Sequence, residues 1–403
     1  MDRVSCTPRP DWTRRIEAQG LTYHSLGLPP GGGPSGGPGG GEDGLWWDES
    51  AAYAFTAVEI DHLEAAANTL HQLCLEAVAA IVATPALMDR FGLSPAYRAY
   101  VIESWRRGDP ALYGRFDLAF NPDREELAEP KMLEYNADTP TTLIESAVVQ
   151  WFWLRDVMPD ADQFNSIHER LIARWREIGR RQPPGALVHL SSYADYEEEL
   201  RTVEYLVDTA RQAGLNATHL PITQVGWDKG KKRFVDEQRR PLGLWFKLYP
   251  WEWLAAERFG AHLPTAGMTV GGLTVVEPPW KMLLSHKAIL TVLWDLFPGH
   301  PNLLPAGFSA AAVGPDWIAK PMQAREGANI RLVRDGWEVA RTSGGYGQGP
   351  LVYQRAVDLG REDGRYVVLG AWVVGDEAAG LCVREDAGPI ITGASRFLPH
   401  YFR

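Results

Sequence analysis

Cysteine is scarce in this chain of 403 residues, which has only three, and no two of them form a CxxC pair. This scarcity excludes a disulfide framework and a cysteine-rich zinc site, and it is typical of a reducing compartment. The N-terminal segment MDRVSCTPRPDW lacks the apolar core of a signal peptide. No run approaches the roughly 18 continuous apolar residues that a membrane helix needs. We therefore expect a cytoplasmic protein that does not contact a membrane.

Positive charge is also in deficit, because 40 Lys and Arg residues face 51 Asp and Glu residues and the net charge is −11. Nucleic-acid binding rests on neutralising phosphates, so this balance argues against a nucleic-acid partner. A nucleotide is not excluded, since a few lysines in a pocket suffice for a triphosphate. The P-loop pattern GxxxxGK[ST] is absent, as are HExxH and GxSxG, so these common routes to chemistry are excluded.

The length and composition are those of a globular protein, with 45% hydrophobic and 23% charged residues. A chain of this size predicts one compound unit or two to three lobes packed together. Residues 29–44 are almost entirely Gly and Pro, which predicts a flexible loop inserted within a domain. Thr56 and Glu59 form a capping-box pattern that begins a long amphipathic helix ending near Pro85.

Helix and strand patterns alternate through the middle of the chain. Residues 113–137 read as a β-hairpin. Thr142-x-x-Glu145 predicts a capped helix through about Val157, and residues 186–222 predict a β-α-β unit.

The C-terminal part continues with a predicted helix over 276–297 that carries Lys287. From Trp317 onward, short strands separated by turns predict an antiparallel sheet. The predicted fold class is therefore mixed α/β, with a β-α-β lobe and a C-terminal antiparallel-sheet lobe.

The hairpin carries the best candidate for chemistry. Residues i and i+2 of a strand point to one face, so Arg115 and Asp117 share a face of the first strand, and Glu134 and Asn136 share a face of the second. If the strands pair, two carboxylates and an amide oxygen converge, which is a ligand set that suits Mg²⁺ bound to phosphates. A solvated salt bridge between Arg115 and Glu134 is the alternative interpretation.

Two lysines and a glycine turn lie further along the chain. Lys320 interrupts the apolar strand WIAKPM, and a buried ammonium needs an anionic partner, either a structural glutamate or a nucleotide phosphate. Residues 324–330 (AREGANI) form a small turn in which Gly327 allows backbone N–H groups to approach a phosphate, although ordinary hairpin turns look similar. The run GGYGQG at 344–349 lacks a following helix and predicts a flexible loop.

Seven or so motifs in order resemble the glutathionylspermidine synthase family, specifically its ligase half, an ATP-grasp fold. They run from about residue 11 to the C-terminus and are WDE (47–49), GRFD (114–117), LEYNADTPT (133–141), KLYPWEW (247–253), EPPWK (277–281), KP with REGAN (320–329) and SRFLPHYF (395–402). The amidase half of bifunctional members has no counterpart here. The resemblance implies a pre-grasp β-α-β lobe over 186–275 and ATP-grasp lobes over 276–403 within one compound unit, residues 1–403.

The resemblance also implies roles for particular residues. It implies that two Mg²⁺ ions are bound by Asp117, Glu134 and Asn136. Lys287 and Lys320 would hold the ATP phosphates, and Gly327 and Gln354 would also bind ATP, the strand of Gln354 bordering the adenine. Among the catalytic residues, Arg115 and Arg396 would stabilise the acyl phosphate and the transferring phosphoryl group, and the loop with Arg325 would close over the phosphates. Thr139 and Thr141 are candidate hydroxyl contacts with the carboxylate substrate.

The implied reaction joins a small-molecule carboxylate to a small-molecule amine through an acyl phosphate, with ATP converted to ADP and phosphate. The family's glutathione-using members carry threonines after the residue corresponding to Lys247, whereas this chain reads LYPWEW there. Glutathione and spermidine are therefore not carried over as its substrates. An ATP-binding protein or ATPase without ligase turnover and a small-molecule phosphotransferase are the alternative hypotheses.

Overall fold

The computed structural model describes residues 1–25, 44–346, 349–393 and 395–403. The predicted Gly/Pro loop at 29–44 lies outside the described residues except for Gly44. Gly347 and Gln348 of the predicted glycine loop also lie outside them.

Helices of the described chain are mostly short. In chain order they are α1 (Trp12–Ala18), α2 (Ala57–Ala83), α3 (Pro85–Met88), α4 (Pro95–Arg107), α5 (Gln150–Val157), α6 (Ile167–Gly179), α7 (Glu197–Gln212), α8 (Trp251–Ala256), α9 (Leu263–Met268), α10 (Met282–Ser285) and α11 (Ile289–Leu296).

Strands of the described chain are, in the same order, β1 (Asp2–Ser5), β2 (Ala51–Phe55), β3 (Tyr113–Ala119), β4 (Lys131–Asn136), β5 (Leu187–Ser191), β6 (Asn216–His219), β7 (Gly226–Asp228), β8 (Arg233–Val235), β9 (Leu244–Lys247), β10 (Thr274–Val276), β11 (Ala306–Gly307), β12 (Trp317–Pro321), β13 (Arg331–Arg334), β14 (Trp337–Arg341), β15 (Leu351–Arg355), β16 (Tyr366–Val374), β17 (Glu377–Asp386), β18 (Arg396–Leu398) and β19 (His400–Phe402).

Three sheets position the site. The central sheet is antiparallel with order β18-β17-β16-β3-β4, and the outer sheet is antiparallel with order β11-β15-β12-β13-β14. The third sheet is parallel with order β10-β9-β5-β6, and it contains the predicted β-α-β unit of β5, α7 and β6. The C-terminal strands thus divide between two sheets instead of forming the single sheet that we expected, because the β3–β4 hairpin pairs with β16.

The long helix α2 begins as predicted. The Thr56 side chain accepts a hydrogen bond from the backbone N–H of Glu59, whose carboxylate accepts one from the backbone of Thr56, and the helix ends at Ala83 before Pro85. By length and composition α2 alone among the described helices is suited to cross a membrane. In the structure Leu63, Leu70 and the rest of its apolar face pack in the core against the central sheet, as in a core helix.

Two local predictions were wrong. Thr142 has a φ of 72°, and its hydroxyl accepts a hydrogen bond from Arg115 and not from Glu145, so no capping box forms. A π-helical turn, Glu145–Val149, precedes α5 instead. The predicted helix over 276–297 is broken between α10 and α11. At this break the backbone N–H of Lys287 donates to the carbonyl of Met322, which directly follows β12 of the outer sheet.

Two buried ion pairs attach the β3–β4 hairpin to the rest of the protein. Asp138, two residues beyond β4, accepts from Lys247 of β9 at 2.5 Å, and both side chains have no exposed surface. Glu277 accepts the backbone N–H groups of Leu112 and Tyr113 at the start of β3. Lys281 donates to Glu277 and to the carbonyl of Tyr113. Each strand of the hairpin is therefore held at one end by a charge pair.

We predict that Lys247→Met lowers the free energy of unfolding by about 3–5 kcal/mol, because it leaves the Asp138 carboxylate buried without its cation. The measurement is urea denaturation followed by tryptophan fluorescence. Adding Asp138→Asn to Lys247→Met should recover part of the loss. The exposed Lys229→Ala serves as the matched control and should change stability by less than about 0.5 kcal/mol. If the Lys247→Met protein is as stable as this control, the Lys247–Asp138 ion pair does not anchor the hairpin.

Candidate functional site

The hairpin brings four charged and polar side chains to one face of the central sheet. Asp117 lies directly opposite Glu134, and Arg115 lies opposite Asn136. Neighbouring carboxylates repel each other, and here each of the two carboxylates has a cationic side chain beside it. Arg115 donates through Nε to Asp117 at 3.1 Å, and Lys287 lies 3.0 Å from Glu134. The Arg115–Glu134 bridge that was the alternative interpretation is therefore not the pairing that the structure has.

Electrostatics keep Glu134 ionised. Burial alone would raise its pKa, but the neighbouring ammonium groups of Lys287 and Lys320 outweigh this effect and hold the pKa of Glu134 well below its usual range. Burial lowers the pKa of Lys320 to about 8, although Glu134 acts in the opposite direction. The site therefore contains a charged carboxylate between two lysines.

A β-bulge in the hairpin helps to place Lys320. Asp117 pairs with Glu134 but the next residue, Leu118, pairs with Met132, so Leu133 is the extra residue of β4. Lys320 donates to the freed carbonyl of Leu133 and to the side chain of Gln354, both at 2.9 Å. The Lys320 side chain thus connects the outer sheet to the central sheet.

A cleft of about 900 Å³ lies between the central and outer sheets. At one end are Asp117, Glu134, Lys287 and Lys320; the remaining walls are largely apolar and include Leu133, Ile318, Ala328, Ile330, Leu332, Ala356, Val357, Leu359, Val368, Ile390 and Ile391. Gly327 and Gln354 also line this cleft. Gly327 has a φ of 67°, and a Cβ there would lie 2.5 Å from the carbonyl oxygen of Ile391, so only glycine fits this turn.

A second, more polar compartment of about 570 Å³ adjoins the cleft, and Lys287 and Ala324 line both. Asn136, Thr139 and Arg325 of the predicted site lie here. Arg325 donates at 2.7 Å to the hydroxyl of Thr139 and at 2.7 Å to Glu252. We refer to it below as the second compartment.

An arginine that we did not predict, Arg384 of β17, shares the face of Arg115 and Asp117 according to the strand register. Its Nε is buried without a hydrogen-bond partner in the part of the chain that the structure describes. Burial and the nearby Arg115 both lower the pKa of Arg384. A sequence signal existed, because Arg384 directly follows the apolar stretch 378–383 of β17. The buried Arg115 and the half-buried Arg384 thus lie on one face of the sheet, and two guanidinium groups on one face suit an anion.

Arg396 is placed differently from the other predicted residues. On β18 it lies opposite Glu385, which faces Arg3 and Tyr53, whereas Arg384 lies opposite Phe397. The guanidinium of Arg396 donates to Asp48 at 2.8 Å. The structure thus brings Arg396 to the opposite face of the central sheet from Asp117.

Close packing fixes Arg115. Its guanidinium donates to the carbonyl of Thr141 and to the hydroxyl of Thr142, both at 2.9 Å. A Cβ at Gly370 would lie 2.9 Å from the side chain of Arg115 and 2.4 Å from the sulfur of Cys382. Gly370 therefore leaves the space that the Arg115 side chain occupies.

Three acidic side chains interact electrostatically with one another. Glu198 and Glu199 are at the start of α7, and Glu145 is in the π-helical turn before α5. Burial and the charge of Glu145 raise the pKa of Glu198 to about 8, although a hydrogen bond with Thr141 opposes this. Burial raises the pKa of Glu199 to about 7. Burial also raises the pKa of Glu145, even though Trp46 donates to it at 2.6 Å. Arg325 and Arg115 lower the pKa values of Glu199 and Glu145 only in part, and among the described residues none of the three carboxyl groups forms a salt bridge, so a cationic ligand would be a favourable partner.

The residues present fit Mg²⁺ when phosphates complete the coordination. In the described ranges no group of three or more His, Cys, Asp and Glu side chains is arranged for a metal. Asp117, Glu134 and the amide of Asn136, whose nitrogen lies 3.4 Å from Glu134, form only a partial set. Oxygen donors of this kind are those of a Mg²⁺ ion bound together with a nucleotide, not of a metal held by protein alone.

The fold and the cleft are those of a mixed α/β protein with a charged site between two antiparallel sheets. The chain belongs to the glutathionylspermidine synthase preATP-grasp family, whose model matches residues 3–403. The resemblance inferred from the sequence is thereby confirmed.

Individual relatives agree with this family. The chain is 38% identical, over the full length of both proteins, to a Haemophilus influenzae protein named putative acid--amine ligase. It is 27% identical to trypanothione synthetase from Crithidia fasciculata, over 80% of this chain and 52% of that enzyme. It is also 27% identical to the bifunctional glutathionylspermidine synthetase/amidase of Escherichia coli, over 86% of this chain and 58% of that enzyme. The chain thus matches little more than half the length of the last two.

A solved structure shares the fold. The glutathione synthetase-like effector GSS30 from Globodera pallida, in its apo form, superposes with a TM-score of 0.60 over 99% of this chain and 100% of that chain. Only 10% of the residues are identical, so this likeness concerns the fold alone.

We predict that Glu198→Gln stabilises the protein at alkaline pH. Because the pKa of Glu198 is raised to about 8 on folding, the folded state keeps a proton that the unfolded state loses, and stability falls as the pH rises from the usual glutamate pKa to about 8. The midpoint of thermal unfolding of Glu198→Gln should exceed that of the wild type at about pH 8.5 and match it at about pH 5. Glu197→Gln, on the exposed neighbour, is the control. A Glu198→Gln difference that is independent of pH would refute the burial of this carboxyl group.

Proposed function

We propose that this chain is an ATP- and Mg²⁺-dependent ligase that joins a carboxylate to an amine through an acyl phosphate. The observation that supports this most is the grouping of two carboxylates with two lysines, Asp117 and Glu134 with Lys287 and Lys320, at one end of a cleft whose remaining walls are largely apolar. Apolar walls suit a base, and the charged end suits phosphates and the metal bound to them. The family and the relatives named as ligases support the same reaction class.

The two antiparallel sheets would grip ATP between them, as in an ATP-grasp fold, with residues 276–403 supplying the outer sheet and most of the central one. Gln354 would lie beside the base, and Lys287 and Lys320 would contact the phosphates. Asp117, Glu134 and Asn136 would hold Mg²⁺, which neutralises phosphate charge. When Mg-ATP binds, Lys287 would leave Glu134 and contact a phosphate, and the Glu134 carboxylate would bind the metal instead.

The first chemical step forms a bond between a carboxylate oxygen of the substrate and the γ-phosphorus, and breaks the bond from that phosphorus to the ADP oxygen. Arg115 and Arg384 would stabilise the negative charge of the acyl phosphate. In the second step the amine nitrogen attacks the carbonyl carbon, phosphate leaves, and the nitrogen loses a proton. The protein mainly positions reactants and balances charge, so no catalytic histidine is required for these bond changes.

The carboxyl groups of Glu145, Glu198 and Glu199 support an amine substrate that carries positive charge. Glu198 is linked through Thr141 to Arg115, because Thr141 bonds Glu198 with its side chain and accepts from Arg115 with its carbonyl. An amine held by these carboxylates would therefore lie close to an acyl group held by Arg115. The same carboxylates can take up the proton that the amine must release before it attacks.

A hydroxylamine trap tests the proposal without knowledge of the amine. The protein is incubated with Mg-ATP, hydroxylamine and a panel of amino acids, short peptides and glutathione, and hydroxamates and phosphate are measured. Formation of a hydroxamate together with ADP is expected for at least one acid. Phosphate release without any hydroxamate would favour an ATPase without ligase turnover. A stable phosphorylated product would favour a phosphotransferase.

We predict that Glu134→Gln lowers hydroxamate formation by at least about 100-fold, because it removes one of two carboxylates that would hold the metal. The matched control is Glu125→Gln, on the exposed turn of the same hairpin, which should retain wild-type rates. Mg²⁺-dependent turnover that survives Glu134→Gln unchanged would overturn the metal assignment.

A further inference from the structure

His286 lies in the break between α10 and α11, beside Lys287. It lines the second compartment together with Ser285 and Lys287. It also lines a further cleft, which shares Phe91 and Gln323 with the second compartment. Its ring is tilted against Phe91, with the centroids 5.3 Å apart. The mechanism described above leaves this residue without a role.

The backbone fixes which ring nitrogen carries the proton. The N–H of Ala288 donates to Nδ1 of His286 at 3.2 Å, so Nδ1 is an acceptor and the hydrogen of the neutral ring belongs on Nε2. Burial lowers the pKa of His286 to about 4, with Lys287 acting in the same direction and Glu252 against it. The ring is therefore neutral at physiological pH.

The remaining nitrogen is available to a ligand. In the described ranges of the chain, Nε2 of His286 has no hydrogen-bond partner. Nε2 of His71 and Nε2 of His400 also lack one, but those two atoms are fully buried, whereas Nε2 of His286 is not. His286 lines the compartment that also contains Arg325, Thr139 and Lys287, so a hydrogen-bond donor on this ring is near the place where an anionic group would bind.

We propose that the Nε2–H of His286 donates a hydrogen bond to an oxygen of the carboxylate substrate or of its acyl phosphate in the second compartment. The inference rests on the proposed function, because only a ligase places an acyl group there. A neutral donor complements the cationic Lys287 and Arg325, since it binds oxygen without adding another charge that must be compensated.

The competing explanation is purely structural, because the Nδ1 acceptor also caps the start of α11. Two neutral substitutions separate the roles. In His286→Asn the amide oxygen can accept from Ala288 and the amide nitrogen can donate into the compartment. In His286→Ser the hydroxyl can cap the helix but is too short to reach a ligand. The midpoint of thermal unfolding reports whether either variant loses the fold.

The hydroxylamine assay, run with the acid that gives the highest rate, measures kcat and KM for both the acid and ATP. We expect His286→Asn to stay within about threefold of the wild type, and His286→Ser to lose about 10- to 100-fold in kcat/KM for the acid with an unchanged KM for ATP. Equal activity of the two variants, at equal thermal stability, overturns the inference and leaves the ligase standing. Absence of any hydroxamate with the wild type overturns both.

A spectroscopic readout keeps the test independent of turnover. In protein labelled with ¹⁵N-histidine, the His286 signals are assigned by their loss in His286→Asn. At about pH 7 we expect the neutral Nε2–H form, and a shift of Nε2 larger than that of Nδ1 on addition of Mg-ADP and acetyl phosphate, the smallest carboxylic acyl phosphate. An Nδ1–H form, or an Nε2 signal that acetyl phosphate leaves unchanged, contradicts the proposal.

Discussion

The site depends on the two buried ion pairs that hold the β3–β4 hairpin in place. Asp138 with Lys247 and Glu277 with Lys281 are buried pairs, and each anchors one strand of the hairpin. A buried pair is strongly destabilising to break, because removal of one partner leaves an uncompensated charge. The two strands therefore keep a fixed register, and this register places Asp117 opposite Glu134.

The carboxylates of the site are paired with cationic side chains of the protein itself. Arg115 and Lys287 neutralise the two hairpin carboxylates, so each of these two carboxylates already has a cationic partner. In the proposed reaction, metal and phosphates replace these contacts, and the cations turn toward the phosphates. Preformed charges of both signs allow this exchange with little rearrangement, which is the electrostatic preorganisation that phosphoryl transfer requires.

Local patterns in the sequence predicted the α2 capping box, the hairpin face with Asp117 and Glu134, and the β-α-β unit, because each depends on neighbouring residues. The break at Lys287 was missed, since it results from a hydrogen bond to Met322, which is distant in sequence. The strand register decides which arginine faces the site, and no periodicity within one strand reveals its partner. For this reason Arg384 was overlooked, whereas Arg396 was predicted for the site and lies on the other face.

In the proposed reaction, the hairpin carboxylates hold the metal of a metal–nucleotide complex. Electron paramagnetic resonance of Mn²⁺, titrated into the protein with a non-hydrolysable ATP analogue, tests it directly and needs neither substrate. We expect nucleotide-dependent Mn²⁺ binding that weakens at least about tenfold in Asp117→Asn. Asp123→Asn, on the exposed turn of the same hairpin, should leave Mn²⁺ binding unchanged. Equal Mn²⁺ affinity in wild type and Asp117→Asn would show that the Asp117 carboxylate does not hold the metal.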